Sequence, residues 1–251
     1  KSNFLNLITQ ENGKTLKDAE GEFNRGLEVI QYAISLPPLN LGKSGQVNQN
    51  INISSFKEPI GVVVAICPFN FPFMIPLWFI PIAITLGNVI ILKPSELVPG
   101  CVSLLAKGAI EVGIPNGVIN VIQGGPQIVN KLIESPITKA ISFVGSTKIG
   151  KIIYNKACQN MKKIQCNMGA KNHVVISPSA NVNTAVKSII GAAFGGAGQR
   201  CMALSVCIII GNNPEFMDQL IDSTQKINPV EEMGALISQN SITNINQTIE
   251  D

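Results

Sequence analysis

IGVVVAICPFNFPFMIPLWFIPIAITLGNVIILKPSE, residues 60–96, carries no charged side chain between Gly61 and Leu92. By length and hydropathy it could span a bilayer. Pro68, Pro72, Pro76 and Pro81, with Asn70 and Gly87, argue otherwise, because a proline inside a helix removes a backbone donor and clashes with the preceding turn. The stretch reads instead as a buried strand at 60–66, a proline-rich turn, an apolar helix near 75–86 and a second buried strand at 88–92. Continuous apolar strands joined through helices make a parallel sheet covered on both faces.

Outward from this stretch the pattern repeats. Helices are predicted near 99–112, 126–133 and 148–158, with strands at 118–122 and 140–144, which together make a doubly wound α/β domain. Upstream, residues 42–58 are polar and alternating and predict a β-hairpin leaving the domain, while the first 36 residues are charged and helical in period. Beyond about 168, a strand at 173–177, a helix near 181–194 and a strand at 205–210 begin a second domain.

Composition narrows the function classes. The chain has 251 residues, 45% hydrophobic and 14% charged, with a mean hydropathy of +0.28, which excludes a disordered chain. A net charge of +3 and 5% aromatics speak against a nucleic-acid surface. Six cysteines without a CxxC pair fit a reducing compartment. With His173 as the single histidine, neither a metal site nor a serine triad can be assembled from obvious parts.

Chemistry is expected beyond the carboxyl ends of the strands, where the loops of an open parallel sheet gather. Strand 88–92 runs into Lys93-Pro94-Ser95-Glu96, whose charged groups can meet ribose hydroxyls or simply form a solvated pair. Strands 118–122 and 140–144 run into Gly124-Gly125 and Gly145-Ser146-Thr147, turns of the kind that present backbone N–H groups and a helix N-terminus to a phosphate. After strand 60–66, the Asn70 amide sits in a stiff apolar turn, where it can donate to a developing oxyanion or cap its own turn. A run of small residues, 191–198, leads through Gln199 and Arg200 to Cys201. A neighbouring guanidinium favours a thiolate, although a free cysteine is as readily a buried structural thiol.

Five ordered blocks, PFNFP at 68–72, KPSE at 93–96, FVGS at 143–146, NMGAKNH at 167–173 and GQRCM at 198–202, together resemble the aldehyde dehydrogenase superfamily over essentially the whole chain. Within it, the sequence is most similar to the acylating, coenzyme A-dependent branch acting on malonate and methylmalonate semialdehydes. The resemblance implies a Rossmann-like NAD-binding domain (1–41 and 59–168), an oligomerisation hairpin (42–58) and part of an α/β catalytic domain (169–251). Cys201 would be the nucleophile, with Asn70 and the Cys201 N–H holding the oxyanion. Lys93 and Glu96 would bind the adenosine ribose of NAD, Ser146 its pyrophosphate, and Cys67, Phe69, Leu97 and Met168 would complete the cleft. Arg25 and Arg200 would clamp the substrate carboxylate.

The departure at Asn167 carries the most information. Hydrolytic members have a glutamate there as general base, and an amide cannot take a proton from water. The thioester on Cys201 would therefore await the thiol of coenzyme A, giving acetyl-CoA or propanoyl-CoA with loss of CO₂. The resemblance further implies a homodimer or homotetramer, no membrane or nucleic-acid partner, and a mitochondrial location in a eukaryote or a cytoplasmic one in a bacterium, the former favoured. Two alternatives stay open: a hydrolytic aldehyde dehydrogenase with its base elsewhere, or an inactive nucleotide-binding relative. Full members are about twice as long, so a chain ending at Asp251 is expected to aggregate or lack activity alone.

Overall fold

The computed structural model describes residues 1–250. Helices α1 (Ser2–Leu7) and α2 (Leu16–Ile34) open the chain. Thr15 caps α2, its Oγ1 accepting the Asp18 N–H at 3.2 Å and satisfying one of the donors that a helix start leaves open. A single turn, α3 (Leu36–Leu39), leads into the antiparallel hairpin of β1 (Lys43–Asn48) and β2 (Ile51–Ser55), exposed along its length.

The predicted apolar runs form one parallel sheet. Its elements are β3 (Val62–Ile66), α4 (Met74–Thr85), β4 (Val89–Lys93), α5 (Gly100–Glu111), β5 (Ile119–Val121), α6 (Pro126–Glu134), β6 (Thr138–Val144), α7 (Thr147–Gln159) and β7 (Lys163–Asn167). The strand order is β5-β4-β3-β6-β7. From the central β3 the chain winds to β4 and β5 on one side, then crosses to β6 and β7 on the other, so β3 and β6 flank a topological switch point. Val64, Ala65, Ile90, Leu92, Ile141 and Phe143 are buried within the sheet, and Phe73, Ile75 and Leu77 at the start of α4 are buried as well. Pro76 sits in the first turn of α4, where its missing N–H costs nothing, and Pro81 is buried inside the helix.

The chain continues through β8 (Asn172–Ile176), α8 (Val182–Phe194), β9 (Leu204–Ile209), α9 (Pro214–Gln225) and α10 (Gln239–Glu250). Strands β8 and β9 pair in parallel, and Ile176, Val186, Ile189 and Phe216 form the core between them and α8 and α9. Among the described residues, no helix is long and apolar enough to cross a membrane.

Contacts divide the chain into two compact units, Glu22–Asn167 and a second made of Lys1–Gly21 with the chain from Met168 on. This boundary differs from the expected grouping of residues 1–41 with the sheet. Residues 1–21 are tied to the later chain by specific bonds, such as Ala235 N to Gly13 O at 2.9 Å. The edge strand β7 is a further element beyond those expected. Its residues alternate between exposed and half-buried and lack the apolar run that marks the other strands.

Candidate active site

Within the sheet unit, the expected binding residues lie on the loops leaving the carboxyl ends of the strands. Lys93, the last residue of β4, is buried although charged. Its Nζ donates to Gly124 O at 3.2 Å and pairs with Glu96 Oε2 at 3.2 Å, so one ammonium ties the β5 exit to the KPSE turn. A charge is kept inside only when paired and hydrogen-bonded in this way. Glu96 remains half exposed, its carboxylate held at the rim by Lys93. Leu97 is exposed and its N–H donates to Ser95 Oγ at 3.3 Å.

The Cys67 N–H is committed to Lys93 O at 3.0 Å, extending the β3–β4 pairing by one residue. Burial pushes the Cys67 thiol up to about 12, with the Lys93 ammonium pulling the other way. Such a thiol stays protonated and unreactive, so Cys67 serves the site by its backbone and its packing. Ser146 is the N-cap of α7: its backbone is extended, its Oγ accepts the Ile149 N–H at 3.5 Å, and it is exposed. An exposed carboxylate after β4 and, two strands away in the sheet, the exposed start of a 13-residue helix after β6 are a donor and acceptor set that suits the ribose hydroxyls and pyrophosphate of a dinucleotide.

Asn70 and Phe69 are half-buried in the turn between β3 and α4. That turn is backed by α2. The Glu22 carboxylate, itself buried, accepts the Phe73 and Met74 N–H groups at 2.8 and 3.1 Å, placing a negative charge at the start of α4. Phe23 stacks on Phe73, the ring centroids 4.8 Å apart. Gly26 allows this approach, since a Cβ there would lie 2.7–2.9 Å from Phe73 and Leu77. Arg25, on the same helix, is exposed and ion-paired with Glu28. Glu22 escaped the sequence reading because nothing local separates it from the other acids of a charged helix.

In the second unit, α8 ends at Phe194 and the chain tightens into the turn Gly195–Gly198. Gly196, Ala197 and Gly198 have φ of 60°, 53° and 70°, a left-handed run that glycine tolerates freely and alanine at a cost of roughly 1–2 kcal/mol. The half-buried Cys201 follows. Asn172, at the start of β8, donates from Nδ2 to Cys201 O at 2.9 Å and Ala203 O at 3.0 Å. Gln199 donates to Gly196 O and Ala235 O and accepts from Ile237 N at 3.0 Å. Arg200 does not stand free beside Cys201: its Nη2 lies 2.7 Å from Asp18 Oδ1. Met168, the first residue of this unit's later segment, is half-buried. Asn167, which ends β7 in the sheet unit, accepts the Gly145 N–H at 3.1 Å on its carbonyl and is exposed.

Known proteins agree in kind. The profile of the aldehyde dehydrogenase family matches residues 1–251. The mitochondrial methylmalonate-semialdehyde/malonate-semialdehyde dehydrogenase [acylating] of Mus musculus is 45% identical over 232 residues, covering 91% of this chain and 43% of that protein. Among solved structures, one from Sinorhizobium meliloti 1021, described under the methylmalonate-semialdehyde dehydrogenase name and complexed with NAD, superposes with a TM-score of 0.96 at 37% identity. It covers 99% of this chain and 52% of that one. Methylmalonate-semialdehyde dehydrogenase from Oceanimonas doudoroffii gives a TM-score of 0.96 at 38% identity, over 99% of this chain and 53% of that one. The chain spans about half the length of the curated relatives it matches.

Proposed function

The chain belongs to the aldehyde dehydrogenase family, and from that membership we propose that it supplies the cofactor-binding and nucleophile-bearing parts of an NAD-dependent, coenzyme A-acylating semialdehyde dehydrogenase. The observation that carries the proposal is the Cys201 turn, fixed at its carbonyl by Asn172 and flanked by Gln199 and Arg200. So many bonds on one short turn are what a nucleophile needs if it is to meet a carbonyl carbon in one orientation.

The Cys201 thiolate attacks the aldehyde carbon, forming a C–S bond while the carbonyl π electrons move to oxygen. The Asn70 amide and the Cys201 N–H donate to that oxygen. Glu96 and Ser146 would hold the ribose and pyrophosphate of NAD, with Lys93 fixing Glu96, and the backbone of Cys67, Phe69, Leu97 and Met168 would add further contacts to NAD. When bound, NAD supplies the hydride acceptor of the oxidation. Asn167 offers no base for water, so the Cys201 thioester is released by the thiol of coenzyme A. Arg25 and Arg200 bring guanidinium groups to the substrate carboxylate. The names of the relatives support malonate and methylmalonate semialdehydes as substrates, with CO₂ lost and acetyl-CoA or propanoyl-CoA formed. They also support a mitochondrial location. The exposed Val47, Ile51 and Ile53 of the hairpin support a homo-oligomer.

The test uses the full-length protein with malonate semialdehyde and NAD. Thioester product should form only with coenzyme A present, and Cys201→Ser should abolish NADH formation. Steady turnover to free acid without coenzyme A, or an active Cys201→Ser variant, would refute the proposal.

A further inference from the structure

Asp18 lies 182 residues before Arg200 in the chain, yet its two carboxylate oxygens grip both ends of the turn that precedes Cys201. Oδ2 accepts the Gly196 N–H at 2.9 Å, and Oδ1 accepts from Arg200 Nη2 at 2.7 Å. Between these two points run the left-handed residues Gly196, Ala197 and Gly198. Ala197 in that region is a strained conformer, which persists only where its surroundings over-determine it. The guanidinium of Arg200 lies flat against Gly195, where a Cβ would come within 2.6 Å of it, and its Nη1 reaches Gly191 O at 3.4 Å. Both partners of the ion pair are largely shielded, with side-chain exposures of 26% and 19%. A carboxylate and a guanidinium so placed form a charge-assisted bond well above the strength of a surface pair. Thr15, whose Oγ1 takes the Asp18 N–H, fixes the backbone from which the carboxylate extends.

We infer that Asp18 is a positioning residue for the nucleophile: one carboxylate staples Gly196 to Arg200 and thereby sets the orientation of Cys201. The inference rests on the reading of Cys201 as the nucleophile and adds to it a residue far upstream. It also gives Arg200 a second task, since one face of its guanidinium is already spent on the turn. An error of about 1 Å in placing a reacting group can cost on the order of 100-fold in rate, so loss of the staple should show in kcat rather than in substrate binding alone.

The experiment compares wild type with Asp18→Ala in the full-length protein. Two aldehydes are used, malonate semialdehyde with its carboxylate and propanal without one, and amide hydrogen exchange is followed across residues 191–203. The expected result is faster exchange confined to that peptide and a fall in kcat of at least 10-fold with both aldehydes. Three results would overturn the inference: unchanged exchange at 191–203; a lowered melting temperature with kcat intact, which is a purely structural role; or a rise in KM for malonate semialdehyde with propanal unaffected, which makes Asp18 a partner of a substrate clamp only. If Asp18→Ala fails to fold, Asp18→Asn takes its place, retaining an oxygen for the Gly196 N–H while releasing Arg200. An active Cys201→Ser variant defeats the nucleophile reading itself, whereas an inactive Cys201→Ser beside a fully active Asp18→Ala defeats this inference alone.

Discussion

Replacing Glu22 should loosen the Asn70 turn and destabilise the sheet unit by an amount that follows from two bonds. Its carboxylate accepts the Phe73 and Met74 N–H groups at 2.8 and 3.1 Å and is 3% exposed, so water cannot easily take its place. Hydrogen bonds to a charged group are worth about 1.5–3 kcal/mol each, and the charge also meets the positive end of α4. Glu22→Ala should therefore cost about 3–6 kcal/mol. Glu22→Gln keeps a neutral acceptor oxygen and should cost about 1–3 kcal/mol, the difference between charged and neutral bonds. Guanidinium chloride unfolding followed by the fluorescence of the single tryptophan, Trp78 in α4, measures both. A Glu22→Ala variant within 0.5 kcal/mol of wild type, or one more stable than Glu22→Gln, would refute the assignment of these bonds as what holds the turn.

Two further outcomes are expected. Asn172→Asp turns a donor that serves two carbonyls, at 2.9 and 3.0 Å, into a carboxylate facing them. With two bonds lost at about 1 kcal/mol each and repulsion added, kcat should fall by roughly 10-fold or more, and wild-type kcat would show that the amide does not orient Cys201. Cys67 contributes a pH dependence of known sign. Its folded thiol lies near 12 against an ordinary 9.0, so between those values the unfolded chain gives up a proton that the folded chain keeps. The stability is present in full below about pH 9 and declines as pH rises, by ~1.4 kcal/mol per unit. Cys67→Ala lacks this component, and the difference between the two unfolding curves from pH 9 to 11 isolates it.

The strands of the sheet core were legible because burial on both faces leaves a continuous apolar run, as in VVVAI at 62–66 and VIILK at 89–93. Proline and glycine at the strand exits marked the loops for the same local reason. Strand β7, KIQCN, was not legible, since a half-exposed edge strand alternates weakly and reads as loop. The site divides along the same line. Asn70, Lys93, Glu96, Ser146 and Cys201 stand in local patterns that announce a turn, a cap or a close approach. Asp18 and Glu22 stand in a helix full of charge, and their partners at Arg200 and Phe73 are brought to them only by tertiary folding, for which no short window of sequence carries a signal. Asn172 lay inside a recognised block without a role, because its work is to hold two backbone carbonyls that only the paired β8 and β9 bring within reach.

The division of the chain into a continuous unit and a split one has a consequence for its synthesis. Residues 22–167 can close their sheet as soon as β6 and β7 are available, whereas Asp18 must wait for Arg200, 182 residues later. At about 5–20 residues per second that delay is roughly 10–35 s, during which the amino-terminal segment has emerged but has no partner. Ribosome-stalled chains in which residue 170 has cleared the exit tunnel but Arg200 has not should accordingly show protease protection over 22–167 and cleavage before residue 21. Protection of residues 1–21 in such chains would mean that they fold without the later segment. In the order of events, residues 1–21 are made before the sheet unit and placed after it.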